Sequence, residues 1–415
     1  MFRFIHTADL HLDAPLKSLA MKDADLSRLV GNATRRALER IVDLCLEENV
    51  DALLVAGDLY DGDMRSMKTA AFLVSEMDRL NAAGIAVYII RGNHDAESVL
   101  TRELEFPPNV NVFTGHGGTI EVPEKGVAIH GVSFDKPKAP ESLLPKYDPP
   151  ISGLFNIGLL HTSLAGASGH DTYAPCSVND LTAHGFDYWA LGHIHIRQLH
   201  SEAPHVVMPG MPQGRDIGEA GPKSVTLVTV NQGSVKLEER VTSQVEFSRQ
   251  DVVLDGVEDW RDALEAIGAV ISSAAMAPSD HSVLRLELRG ETQLAWRLRR
   301  DQDLLLEQVT NLARAKASVW IDKIVHRLSP PSQQIKGEDP RSELGALMST
   351  LMDDEAFMMR ASSEADELIG GLPPELKSTF GETQEQQAQQ VRDLLQDGVD
   401  DIVARMMAGY SEATL

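Results

Sequence analysis

Apolar residues in this chain come in short runs, and several of the runs stop at an Asp, Asn or His. The first, Phe2 to Ile5 with one Arg inside it, predicts a strand at about 2–6. A helix is predicted at about 32–49, with Asn32 as its N-cap and Leu38, Ile41, Val42 and Cys45 on one face. ALLVAG then reads as a strand, residues near 66–83 as a helix, and IAVYII as the next strand. Strand–helix–strand spacing of this kind implies parallel, buried strands. After residue 118 the strands crowd together, at about 118–122, 127–133, 155–160, 187–191, 205–208, 224–230 and 234–241, with one helix near 177–184. Residues 1–245 therefore predict a layered α/β/β/α sandwich of two sheets, partly antiparallel in its second half.

Residues 246–330 read as a separate small α+β domain. The strand QDVVLD precedes a helix near 258–274, VLRLELRG precedes a helix near 301–314, and ASVWIDKIVHRL is the last strand. Pro330 and Pro331 open a polar linker, and 341–415 is helical in pattern, broken at GGLPPE. The first tail helix carries Leu344, Leu347, Met348, Leu351 and Met352. The second carries Val391, Leu394, Leu395, Ile402, Val403 and Met406, with an interruption expected at Gly398. The segment 331–415 is thus a linker and helical tail, and its apolar stripe is either the inside of a hairpin or a partner-docking face. A 75-residue piece buries only a limited core.

Composition changes this picture in two places. The 415 residues are 43% hydrophobic, enough for sizeable cores, and no apolar run approaches the length of a membrane span. The N-terminal MFRFIHTADLHLD lacks a signal-peptide layout, and Cys45 and Cys176 lie far apart. Both features lead to the expectation of a cytoplasmic protein without disulfides. The formal net charge of -24 sits awkwardly with binding to nucleic acid, where phosphate contacts need Lys and Arg. The charge is uneven: 341–415 holds 5 basic and 15 acidic residues, and 246–330 holds 11 and 14.

The candidate chemistry lies in five stretches. They are Asp9 and His11 in ADLHLD, Asp58 in VAGDLYDGD, Asn93 and His94 in IIRGNHDA, His161 in IGLLHTS, and His193 and His195 in ALGHIHI. At a strand end the backbone is extended and residues i and i+2 point to one side, so Asp9 with His11 and His193 with His195 are each expected to face a cation. Gly57 lets the chain turn closely before Asp58, whose two oxygens could bridge two ions. Mixed nitrogen and oxygen ligands without thiolate suit Mn, Fe, Zn or Co. Two such ions about 3.5–4 Å apart stabilise an in-line displacement at phosphorus and supply hydroxide near neutral pH. His94 is then left beside the site as a proton donor, with Asp95 next to it to hold its tautomer.

Taken in order, D-x-H, G-D, G-N-H-[DE], H and G-H-x-H resemble the calcineurin-like metallophosphoesterase superfamily over residues 1 to about 215. The resemblance implies that Asp9, His11, Asp58 and His195 hold one metal and that Asp58, Asn93, His161 and His193 hold the other. It implies His94 as the catalytic histidine. HTADLHLD, AGDLYD, RGNHD and MPGMPQGRDIGEAGPKS are similar to the DNA-repair exonuclease branch, which holds SbcD, the Mre-type nucleases and the YhaO-like proteins, with DLHLDAPL and PGMPQGR pointing to the last group. That branch implies an Mn-dependent exonuclease with some single-strand endonuclease action. It also implies a cap domain that positions DNA, tail helices that dock on an SMC-like ATPase, and a homodimer.

Two other readings share these residues. One is a phosphatase or phosphodiesterase for a nucleotide or phosphoprotein. The other is a scaffold that organises an ATPase. Arg65 and Arg215 are candidate contacts for a substrate phosphate, with surface or ion-paired arginines as the alternative. Asp13 is either support for His11 or a loop cap. Arg297, Arg299 and Arg300 form either a DNA-facing patch or a charged face of a helix or strand.

Overall fold

The computed structural model describes residues 1–14, 24–60, 67–97, 105–164, 173–331, 347–348, 350–371 and 384–408. Its contacts divide the chain into two compact units. The first is Met1–Arg249 with Ala274–Leu284 and Ser318–Trp320, and the second is Gln250–Ser273, Arg285–Ala317 and Ile321–Leu415. The second unit thus takes in most of the segment expected as a small domain together with the helical tail.

The first unit holds two six-stranded sheets. Its elements are β1 (Phe2–Thr7), α1 (Ala24–Gly31), α2 (Ala33–Glu47), β2 (Ala52–Ala56), α3 (Met67–Ala82), β3 (Ala86–Ile90), α4 (Asn93–Glu97), β4 (Val110–Val112), β5 (Thr119–Val122), β6 (Val127–Gly131), β7 (Phe155–His161), α5 (Val178–His184), β8 (Tyr188–Gly192), β9 (Gln198–Glu202), β10 (His205–Met208), β11 (Ser224–Asn231) and β12 (Ser234–Val241). The sheets run β12-β11-β1-β2-β3-β4 and β5-β6-β7-β8-β10-β9. β1, β2, β3 and β4 are parallel, and β11 returns antiparallel to β1. β6, β7, β8 and β10 are parallel, with antiparallel β5 and β9 at the edges.

Alternation along the strands builds the layers. Ala52, Leu54 and Ala56 of β2 enter the core between the sheets, with Phe4, Tyr88, Ile157, Leu159 and Tyr188. Leu53 and Val55 point the other way and meet Leu38, Ile41, Val42 and Cys45 of α2 and Leu73, Met77 and Leu80 of α3. On the far face of the second sheet, Leu160, Trp189, Leu191 and Val206 pack with Leu181 of α5 and with Phe186. This is the expected four-layer sandwich. Each fully buried Leu or Ile contributes roughly 1.5–3 kcal/mol, so the two helix faces secure the first sheet.

The details differ from expectation at identifiable points. Asn32 has helical backbone angles and its side-chain amide donates to the Arg28 carbonyl at 3.1 Å, so it links α1 to α2 rather than capping α2 with its side chain. The short strands β4 and β9 escape the apolar pattern because their residues are half-buried or exposed. Ser177 and Asp180 form a reciprocal capping box that starts α5.

The remaining strands, β13 (Val245–Val253), β14 (His281–Glu291) and β15 (Val319–Ser329), form a three-stranded sheet in that order. The division between the units passes through all three strands, and the second unit contains nearly all of α6 (Trp260–Ala274) with α7 (Ala295–Arg300), α8 (Gln302–Arg314), α9 (Glu355–Gly370) and α10 (Gln384–Ala408). α7 was not foreseen, and α10 runs unbroken through Gly398. The three arginines considered as a DNA-facing patch are engaged inside this unit. Arg297 lies over the Trp260 ring at 5.4 Å, Arg300 grips Asp301 through two bonds of 2.7 Å, and Arg299, only 9% exposed, pairs with Asp401 at 2.9 Å and Asp400 at 3.3 Å. Leu344 lies outside the described residues. Among the described residues no helix is long and apolar enough to cross a membrane.

Candidate metal centre

Ligand-type side chains converge at the C-terminal ends of β1, β2, β3, β7 and β8, where parallel sheets present their loops. Donor atoms of Asp9, His11 and His195 lie within 4.8 Å of one another, as do those of Asp58, His161 and His193. Asn93 joins the second group, with its Oδ1 3.1 Å from His161 Nε2. Asp9, His11, Asp58 and His161 are at most 2% exposed, while Asn93, His193 and His195 are half-buried. Buried carboxylates and imidazoles in one cluster are costly unless they share a cation or protons.

The backbone that delivers them is not extended. β1 ends at Thr7, and Asp9 and His11 have φ of 53° and 42°. Asp58 has φ 53°, and His193, just past β8, has φ 98°. The i, i+2 strand argument therefore rests on a geometry that the backbone does not have, although the side chains it names do lie close together. The left-handed region is uncommon for residues with a Cβ, and strain of this kind gathers at functional sites. The loops are held by pairing that continues beyond the strands. The N–H of Asp9 donates to the Gly57 carbonyl at 3.0 Å, and that of His11 to the Asp58 carbonyl at 3.1 Å. Gly57 itself has φ 97°, and a Cβ there would collide with the His161 ring.

Hydrogen bonds fix which ring nitrogen faces the centre. His161 Nδ1 donates to the Ala56 carbonyl at 2.9 Å, leaving Nε2 toward Asp58 Oδ2 at 3.3 Å. The same Asp58 oxygen lies 4.0 Å from His11 Nε2. His11 Nε2 and His195 Nε2 are 3.2 Å apart, which matches co-ligands held on bonds of about 2.0–2.1 Å. Burial pushes the Asp58 carboxyl up, but His161, His11 and His94 outweigh it and hold it well below the usual carboxylate range. Burial pulls His161 down, yet Asp58 and Asp9 lift it to about 9. The same negative charge that draws a proton to His161 would draw a cation. The donor set thus fits two divalent ions.

His94 is half-buried at the start of α4, its ring edge-on to His11 at a centroid distance of 5.0 Å. Its backbone N–H donates to Asp58 Oδ1 at 3.0 Å. Asp95 is 1% exposed and accepts from the backbone N–H groups of Leu59, Tyr60 and Gly92 at 3.1–3.2 Å. Those bonds tie the loop after β2 to α4, a role that adjacency to His94 does not suggest. Burial and the nearby Asp58 charge push the Asp95 carboxyl up to about 6.

Of the weaker candidates, Arg65 lies outside the described residues. Arg215 is ion-paired with Glu219, Nη2 to Oε1 at 2.6 Å. Asp13 accepts from Arg35 and Thr69, which anchors the loop after His11 to α2 and α3. Glu219 is the residue that sequence reasoning missed, since its Oε1 lies 2.8 Å from His195 Nδ1. Burial raises its carboxyl, but His195 and Arg215 prevail and hold it far below the usual range.

The calcineurin-like phosphoesterase family matches residues 2–197, and the family described as the middle domain of metallophosphoesterase YhaO matches residues 247–329. The chain is 38% identical over 245 residues to "Uncharacterized metallophosphoesterase YhaO" of Bacillus subtilis, covering 57% of this chain and 59% of that protein. It is 25% identical over 205 residues to "DNA double-strand break repair protein Mre11" of Sulfurisphaera tokodaii, covering 48% of this chain and 50% of that protein. The match thus spans only part of each relative, between half and three fifths of its length. Among solved structures, a dimetal phosphatase from Danio rerio covers 58% of this chain and 96% of its own at 12% identity, with a TM-score of 0.38.

Proposed function

Residues 2–197 of this chain form a calcineurin-like phosphoesterase domain, and on that premise we propose that the protein is a two-metal phosphodiesterase that cuts DNA. The observation that carries the metal chemistry is the placement of Asp58. One of its oxygens lies between His11 and His161, a placement that supports its serving as a ligand shared by two ions. Asp9, His11, Asp58 and His195 would hold one ion, and Asp58, Asn93, His161 and His193 the other. When bound, divalent ions lower the pKa of a water and offset charge on the phosphoryl oxygens.

The chain supplies the remaining functions. His94 reaches solvent beside the buried ligands, so its imidazole can hand a proton to the leaving oxygen. Asp58 fixes the start of α4 through the His94 N–H and so sets where that ring begins. The N/O ligand set suits Mn, Fe, Zn or Co, and the resemblance to the nuclease branch is what favours Mn among them.

DNA as the ester is supported by the flanking motifs and by the similarity to an archaeal protein named for double-strand break repair. Helices α9 and α10 expose Met359, Leu368, Leu394, Ile402 and Met406, which supports docking on the coiled coil of an SMC-like ATPase. A partner of that kind would also supply cations that a chain of net charge -24 lacks. That charge is the observation favouring a second reading, hydrolysis of a small phosphoester.

The test is an assay with Mn on labelled single- and double-stranded DNA beside p-nitrophenyl and bis-p-nitrophenyl phosphate, with and without a candidate ATPase. Cleavage of DNA that is lost in Asp58→Ala supports the proposal. Turnover of the small esters alone would replace DNA with the second reading.

A further inference from the structure

Glu219 lies outside the ligand set, 24 residues after His195, in a Gly-rich loop. Its Oε1 is 2.8 Å from His195 Nδ1. An ionised carboxylate only accepts, so Nδ1 must carry the proton. The Nε2 lone pair then points to the opposite side, toward His11 Nε2 at 3.2 Å and Asp9 Oδ1 at 4.0 Å. Arg215 Nη2 also approaches Nδ1, at 3.4 Å, but both groups are donors aimed at the same Oε1, so no bond joins them. We propose that Glu219 is a positioning residue for the first metal site, fixing the tautomer and the angle of His195, with Arg215 holding Glu219 in place.

The loop is built for this. Arg215 grips Glu219 with Nη2 at 2.6 Å and Nε at 3.2 Å, and its backbone N–H donates to Oε2 at 2.8 Å. A short 3-10 turn, Ile217–Glu219, brings the carboxylate round, and the Asp216 side chain starts it by accepting from the Gly218 N–H. The root of the loop is pinned by the buried Gln213, whose side-chain amide pairs with the backbone of Gln244 and Val245. His195 needs this support because its side chain is 27% exposed, whereas His161 is fully buried and anchored to a backbone carbonyl. A carboxylate on the far nitrogen also makes the imidazole a better donor to a cation.

This inference rests on the two-metal reading, and the test separates the two. Mn(II) is titrated into the metal-free full chain by calorimetry and followed by electron paramagnetic resonance. The wild type is expected to take up two ions with a spin-coupled spectrum. Glu219→Ala is expected to keep one ion at its normal affinity and to bind the other roughly 10–100-fold more weakly, with an uncoupled spectrum. Glu219→Gln keeps an acceptor oxygen for Nδ1–H, so it should restore much of that affinity. A wild type that binds no second ion would overturn the two-metal reading and this inference with it. A wild type that binds two, beside a folded Glu219→Ala that binds both within about twofold of wild type, would overturn the role of Glu219 alone.

Discussion

The backbone N–H of His193 donates to both carboxylate oxygens of Asp9, at 2.9 and 3.2 Å, although 184 residues separate them. In the proposed site Asp9 would thus be a ligand of one ion, and it also braces the loop that carries His193 and His195. Asp9→Ala is expected to weaken both ions, while His195→Ala weakens one. Ion counts by mass spectrometry after dialysis against limiting Mn would decide it. Equal loss in the two variants would remove the bracing role.

Gly92 packs against Asp58 so closely that an added Cβ would collide with Oδ1 and with the Asp58 backbone nitrogen. Gly92→Ala should cost about 1–3 kcal/mol and displace Asp58. Gly31, at the end of α1, has open space around its Cβ position and serves as the control. Urea unfolding of the two variants should give a destabilised Gly92→Ala beside a near-neutral Gly31→Ala.

His94→Gln should retain both ions and lose about 10²–10⁴-fold in turnover, the usual loss for a general acid. The pairing of ion content with rate is what matters. Loss of an ion in this variant would make His94 a ligand.

His6 is fully buried between the sheets, its Nδ1 3.0 Å from the Tyr188 hydroxyl and its Nε2 3.0 Å from the Leu191 carbonyl. Burial lowers its pKa to about 3, against the pull of the Leu191 carbonyl. The folded state therefore refuses a proton that the unfolded chain takes up below about 6.5. Stability is intact above that pH and falls as the pH drops toward about 3, by up to about 1.4 kcal/mol per unit from this group. His6→Phe will be less stable at neutral pH, but its loss on acidification should be shallower than that of wild type. Parallel curves in denaturant melts between pH 4 and 7 would contradict this.

The sequence pointed to these candidates because each is an Asp, Asn or His placed at or soon after an apolar run, and parallel strands bring such ends together. It did not expose how the chain reaches them. The left-handed backbone at Asp9, His11, Asp58 and His193 is imposed by pairing between loops far apart in sequence. Asp95 accepts from the N–H groups of Leu59 and Tyr60, contacts that its place beside His94 does not suggest. Glu219 was invisible because nothing in QGRDIGEAG signals that a turn will carry its side chain back to His195. Ion pairing of Arg215 is one of the readings open to the sequence, and the arrangement of the loop supplies its partner, Glu219.

Each proposed ion site would take ligands from both sheets. Asp9, His11, Asp58 and Asn93 follow strands of the first, and His161, His193 and His195 end or follow strands of the second. A strand that slipped by one residue would turn its face over and carry its ligands away from the centre. Cation uptake is therefore a test of whether the two halves of the sandwich have come together in alignment. A chain with each sheet formed separately would keep its secondary structure and still fail to load.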